Sequence, residues 1–211
     1  GLVAHDEAGL RATIWSGTRL SEIGPALAAI GQEMPNLPDI NKQSLAGGVS
    51  TGTHGTGRAF RALHGQITRF RIALANGEIV ECSPASNSDL FAAARVGLGS
   101  FGVLTQIELQ NAPLARVRKR TWVADLGETL EQWPTLQSAH RNVEFYAVPF
   151  TGYAVIIAHD PTDLPVRPRF VKSDAFAAMR QYAGIGQPER VRGKLMPPFP
   201  KIEAQAFDLV F

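Results

Sequence analysis

PNLPDINKQSLAGGVSTGTHGTG, from Pro35 to Gly57, gathers Gly47, Gly48, Gly52, Gly55 and Gly57 among small hydroxyl residues around one histidine, His54. Glycine permits positive φ and close approach of the backbone to a ligand, at an entropic cost to folding. Successive main-chain N–H groups in such a loop form a nest for anionic oxygens. The hydroxyls of Ser44, Ser50, Thr51, Thr53 and Thr56 can donate to the same oxygens. A flexible connector would share this composition. It would have no reason to hold Leu45, Val49 and His54, which read as buried, or to lie between patterned elements. The stretch is therefore read as a phosphate- or cofactor-binding loop.

Working outward, Arg11 to Ser16 reads as a strand. Leu20, Ile23, Leu27 and Ile30 recur at helical spacing, with Thr18 or Ser21 as cap and Gly31 as stop. Beyond the loop, Ile67 to Ala75 and Glu78 to Ser83 flank Asn76-Gly77, a strong hairpin signal. At least part of the sheet is then antiparallel. Ser88-Asp89 is expected to cap a short helix through Arg95, followed by strands at Val103 to Leu109 and Val117 to Val123. Leu126, Leu130, Trp133 and Leu136 outline an amphipathic helix before a strand pair at Val143 to Val148 and Tyr153 to Ala158. A helix near Asp174 to Tyr182 and an extended Pro197 to Pro200 run complete the reading. The composition shift at Ala112-Pro113 divides the chain into residues 1–112 and 113–211.

The balance of the chain excludes several classes. Its 211 residues suffice for a real core, with 45% apolar and 19% charged residues and a net charge of +2. Nothing there indicates a nucleic-acid partner. The Arg116, Arg118, Lys119, Arg120 cluster alternates with Val117 and is read as the solvated face of a strand. The single cysteine, Cys82, excludes an internal disulfide framework and a cysteine-based zinc site, and is read as a core residue. His5, His64, His140 and His159 have no spacing partner, so no metal ligand set is expected. No apolar run reaches the ~20 residues a membrane span needs. The start, Gly1 to Asp6, has neither an initiator methionine nor a signal pattern. A processed chain or a piece of a longer protein is expected, with the cytoplasm as its compartment.

Gly97-Leu98-Gly99-Ser100-Phe101-Gly102 fits the G-x-G-x-x-G dinucleotide pattern. That motif requires a strand before the glycines and a helix after them. Here a helix precedes and a strand follows, so the Rossmann reading fails on context. A ligand-free tight turn and a backbone contact to a cofactor both stay open for this segment.

Three segments, Ser16 to Ile40, Ser44 to Gly57 and Asp89 to Leu109, together resemble the FAD-linked oxidases of vanillyl-alcohol-oxidase type. Within that group the likeness is to the sugar-1,4-lactone (gulonolactone and arabinonolactone) and alditol oxidases. Val143 to Phe150 resembles the first strand of that branch's cap domain. The resemblance implies an α+β fold: an FAD-binding domain with a mixed or antiparallel sheet flanked by helices, then the start of an α+β cap domain. It implies Ser44 near the flavin ring on the substrate side, as the possible catalytic contributor. Gly48, Thr51, Gly52, His54, Gly55 and Thr56 would wrap the flavin, ribityl and pyrophosphate region, and Val103 and Leu104 would lie beside the adenosine. For His54, a core histidine satisfied by a local carbonyl stands equally open.

The family's preceding pyrophosphate loop, its Glu/Arg substrate pair and its C-terminal His-Trp-Gly-Lys segment are not found in this sequence. The chain is thus expected to be an internal piece of a longer enzyme. The implied activity is oxidation of a CH–OH group of a sugar lactone or polyol by hydride transfer to FAD, with oxygen or another electron acceptor as oxidant. A catalytically incomplete FAD- or nucleotide-binding module is the alternative. An NADPH-using nucleotide-sugar reductase of the same fold is a third reading.

Overall fold

The computed structural model describes residues 1–165 and the backbone of Leu209–Val210. The helix expected near 174–182 and the proline run at 197–200 lie outside the described residues. The chain forms two compact units, Gly1–Ala115 and Arg116–Phe211. This division falls three residues after the composition shift at 112/113. The reason is local. Strand β7 (Ala112–Pro113) pairs with β3 (Gln32–Glu33), the Leu114 amide donates to the Gly31 carbonyl at 2.8 Å, and the Ala115 amide donates to Glu33 Oε2 at 3.1 Å.

The first unit is built on five strands: β1 (Leu2–Asp6), β2 (Arg11–Trp15), β4 (Ile67–Ala73), β5 (Ile79–Cys82) and β6 (Val103–Gln110). Their order is β1-β2-β6-β4-β5 and every pairing is antiparallel. The Asn76-Gly77 turn joins β4 to β5 as expected, with Gly77 at φ +84° and Asn76 Oδ1 accepting from the Glu78 amide. Helices α1 (Leu20–Ala28), α2 (Leu45–Ser50) and α3 (Ser88–Ala94) and a 3₁₀ turn at Leu63–Gln66 complete the unit. The core unites Ile14, Leu20, Ile23, Leu27, Leu45, Val49, Ile107 and Phe70, with Phe70 stacked on Phe91 at 5.4 Å. Cys82 lies in this core, where burial pushes its thiol up.

Two caps differ from expectation. Neither Thr18 nor Ser21 caps α1. Its Leu20 and Ser21 amides donate instead to the Gln43 and Asn41 carbonyls at 3.1 and 2.9 Å. A helix start must find acceptors for its orphan N–H groups, and here the glycine-rich segment supplies them. For α3 the cap position is Asn87, at φ +51°, and its amide side chain donates to the Glu81 carbonyl at 2.8 Å.

In the second unit β8 (Val117–Asp125), β10 (Tyr153–Pro161) and β9 (Asn142–Val148) form an antiparallel sheet, with β11 (Leu209–Val210) beside β8. Helix α4 (Leu126–Ala139) follows β8 directly, and Asp125 caps it by accepting from the Glu128 amide at 3.0 Å. Trp133 meets Phe145 edge-on at 4.8 Å, over a small core of Val143, Ile156 and Ala158. Leu130, expected on the buried face of α4, is exposed, and Thr129 takes the buried position. Arg120 of the basic cluster is half-buried and bound to Asp160 at 2.8 Å, whereas Arg116 is exposed.

Candidate functional site

The segment Ser44 to Gly57 opens as a short helix. Leu45 and Val49, one turn apart, are fully buried and pull residues 45–50 into α2. Ser44 caps it, its Oγ accepting from the Gly47 amide at 3.1 Å. The amides of Leu45 and Ala46 donate to the Thr18 and Ser16 carbonyls, each at 2.8 Å. Those of Gly48, Gly52 and Thr53 donate to Ser44, Val49 and Gly48 carbonyls. The expected nest of free amides is therefore narrower than the glycine content implies. Hydrophobic burial of Leu45 and Val49 won over an open loop. The amides of His54, Gly55 and Gly57 have no partner among the described residues.

The Leu98 amide donates to the Ser50 carbonyl at 3.2 Å, tying the second glycine cluster to α2. Between them lies an open hollow of about 430 Å³, lined on one side by Ala46, Gly47, Ser50 and Thr51. Leu98, Gly99, Gly102, Val103 and Leu104 form its other side. Leu98 and Val103 stand 74% and 69% exposed, unusual for large aliphatic side chains and placed on the rim of the hollow. Val103 and Leu104 overhang β2, whose pairing with β6 ends at Trp15 opposite Gln106. The Leu104 carbonyl accepts from the Ser16 hydroxyl. Gly102, at φ +140°, passes so close to β4 that a Cβ would stand 2.3 Å from the Ala73 carbonyl oxygen.

Of the residues singled out in the sequence, Thr51, Val103 and Leu104 meet at this hollow. Ser44 sits one turn before it, and Gly52, at φ +71°, ends α2 beside Val96. Gly48 is buried against Leu63 and Gln43. Gly55 runs against the Leu37 backbone and the Asn36 side chain. His54 is exposed rather than buried, and its Nδ1 lies 2.9 Å from the Gly55 carbonyl oxygen. Thr56 is half-buried next to it. Gly47 and Ser50 of the glycine- and hydroxyl-rich stretch, and Leu98, Gly99 and Gly102 of the second glycine cluster, line the hollow too, whereas sequence reasoning missed Ala46. The four-residue spacing of Leu45 and Val49 was the available signal for α2. Nearby, Arg95 covers the Phe91 ring at 4.8 Å, and burial, then the Arg95 charge, lowers the His64 pKa.

An apolar-rimmed, open hollow of this size suits a flat heterocycle, and the unpartnered amides at 54, 55 and 57 suit anionic oxygens. The residues present thus fit parts of a dinucleotide. Residues 1–83 match the family described as FAD binding domain. A cholesterol oxidase from Brevibacterium sterolicum superposes with a TM-score of 0.69 at 14% identity, covering 90% of this chain and 41% of that one. That likeness concerns the fold: the chain carries the α+β FAD-binding architecture of the vanillyl-alcohol-oxidase class, and FAD is its cofactor.

Within that class the sequence is similar to the sugar-1,4-lactone branch. It is 34% identical over 143 residues to the L-gulono-1,4-lactone dehydrogenase of Mycobacterium tuberculosis, covering 68% of this chain and 33% of that protein. A putative D-arabinono-1,4-lactone oxidase of Neurospora crassa is 34% identical over 155 residues, covering 72% and 28%. The L-gulonolactone oxidase of Bos taurus is 31% identical over 153 residues, covering 72% and 35%. The chain spans about a third of the length of these relatives. Among the described residues no helix is long and apolar enough to cross a membrane.

Proposed function

We propose that this chain supplies part of the FAD site of an oxidoreductase that oxidises a CH–OH group of a sugar lactone or polyol, passing the hydride to the flavin. The reading is carried by the hollow joining α2 to the Leu98–Leu104 turn, in a chain similar to lactone oxidases and dehydrogenases. FAD, when bound, supplies the two-electron acceptor. Thr51, Val103 and Leu104 hold a flat ring of the cofactor, and the amides of His54, Gly55 and Gly57 take anionic oxygens. Gly48 and Gly52 act through backbone shape, and Thr56 lies in the same segment as the His54, Gly55 and Gly57 amides. Ser44 keeps its hydroxyl proton, because its oxygen accepts from Gly47. It can therefore donate toward developing negative charge beside the reacting centre. Oxygen or another acceptor completes turnover.

The purified full-length protein is expected to show a visible flavin spectrum that bleaches on anaerobic addition of a sugar 1,4-lactone or an alditol. A protein that takes up no FAD overturns the assignment. Binding without bleaching across the panel leaves a non-catalytic FAD module.

A further inference from the structure

Gln43, Thr53 and Thr51 form a directed chain of hydrogen bonds beside the hollow. Gln43 Nε2 donates to the Ile40 carbonyl at 3.4 Å, which turns Oε1 toward Thr53, whose hydroxyl donates at 3.2 Å. The Thr51 hydroxyl donates back to the Gly47 carbonyl at 3.0 Å, with the Gly48 carbonyl at 3.4 Å. The two threonine oxygens lie 3.4 Å apart. A hydroxyl has one proton and two lone pairs. Both protons are thus committed inside the protein, and Thr51, on the wall of the hollow, has only lone pairs left to offer.

We propose that Gln43 is a positioning residue: by taking the Thr53 proton it keeps Thr51 an acceptor, so that the hollow receives an N–H donor of a cofactor ring rather than a phosphate oxygen. The inference rests on the FAD reading and adds polarity to it. Without an acceptor at position 43, the Thr53 proton turns to Thr51 and takes one of its two lone pairs, in competition with the ring. Adenine and the flavin ring both carry N–H donors, so the ligand chemistry is shared between the two ends of FAD.

The test is fluorescence titration of the full-length protein, stripped of flavin, with FAD, riboflavin and ADP, alongside thermal melts of each variant. Thr51→Val is expected to weaken FAD binding about 5- to 10-fold, the worth of one hydrogen bond. Gln43→Met should weaken it similarly, and Gln43→Glu, which keeps an acceptor but loses the bond to the Ile40 carbonyl, should weaken it less. Adding Thr53→Val to Gln43→Met removes the misdirected proton and should return affinity to within about twofold of the parent. A loss shared by riboflavin places the flavin ring in the hollow, and one shared by ADP places adenine there. Unchanged affinity in Thr51→Val, or no recovery in the Gln43→Met/Thr53→Val pair, overturns the proposal while wild-type binding leaves the FAD reading standing. Failure of the wild type to bind FAD overturns both.

Discussion

Gly55 shows how one residue can be required for a reason other than ligand approach. A Cβ at this position would stand 2.2 Å from the Leu37 carbonyl oxygen and 2.3 Å from Asn36 Oδ1. Asn36 is itself buried, and its carbonyl accepts from Gln66 Nε2 at 3.2 Å, so the neighbour has little room to yield. Gly55→Ala is expected to destabilise the first unit by about 1–3 kcal/mol, as overpacking does, read as a lowered denaturant midpoint. An unchanged midpoint would mean that the Asn36-Leu37 segment moves aside freely. The glycines of the motif were legible in the sequence, but their partners were not. Close approach to a backbone 18 residues away is a property of the folded chain.

At the scale of elements, α4 and β10 are pinned by one carboxylate. Asp160 accepts from Arg120 at 2.8 Å, lies 2.9 Å from His140 Nδ1, and accepts from the Arg141 amide at 3.2 Å. Burial opposes ionisation of Asp160, but the bonds from Arg120, His140 and Arg141 outweigh it and hold its pKa below the ordinary value. A lowered carboxylate pKa stabilises the fold above the unfolded-state value, about 4, and that contribution is lost as pH falls further. The second unit should therefore lose stability as acid is added below about pH 4, and Asp160→Asn should flatten that slope. Circular dichroism melts between neutral pH and acid would show it, and an equally steep slope in the variant would exclude Asp160 as the cause. In the sequence, His140 and Asp160 were 20 positions apart with no spacing to join them. The β8–β10 register brings Arg120 opposite Ala158 and the β9–β10 register brings Asn142 opposite His159, and the two pairings together gather the three groups.

For the molecule as a whole, a ligand that binds only the folded state adds stability by mass action. At free FAD one-hundredfold above its dissociation constant, unfolding of the binding unit should become about 2.7 kcal/mol harder. A melting temperature that rises with FAD and not with riboflavin or ADP would require both ends of the cofactor to be engaged. A melting temperature indifferent to FAD would contradict the assignment. The strand and helix periods of residues 11–30 and 67–109 were readable because burial of one face writes its period into the chain, whereas β10, buried from Ala154 to Ala158, shows as a continuous apolar run. Strand β1, which buries no position, was missed, as were the 3₁₀ turn at Leu63–Gln66 and helix α2, whose one signal was the Leu45/Val49 spacing inside a glycine-rich stretch.

Local chemistry alone determined the antiparallel hairpin, the alternation of helices with strands and the density of glycine between residues 44 and 57. Tertiary structure alone decided which amides stay free, because that depends on which carbonyls arrive from Ser16, Thr18, Asn41 and Gln43. It also turned a glycine pattern that fails as a Rossmann turn into one wall of a hollow, through the bond from Leu98 to Ser50. Hydrogen-bond partners distant in sequence carry no periodic signature, so their pairing is settled only when the sheet closes.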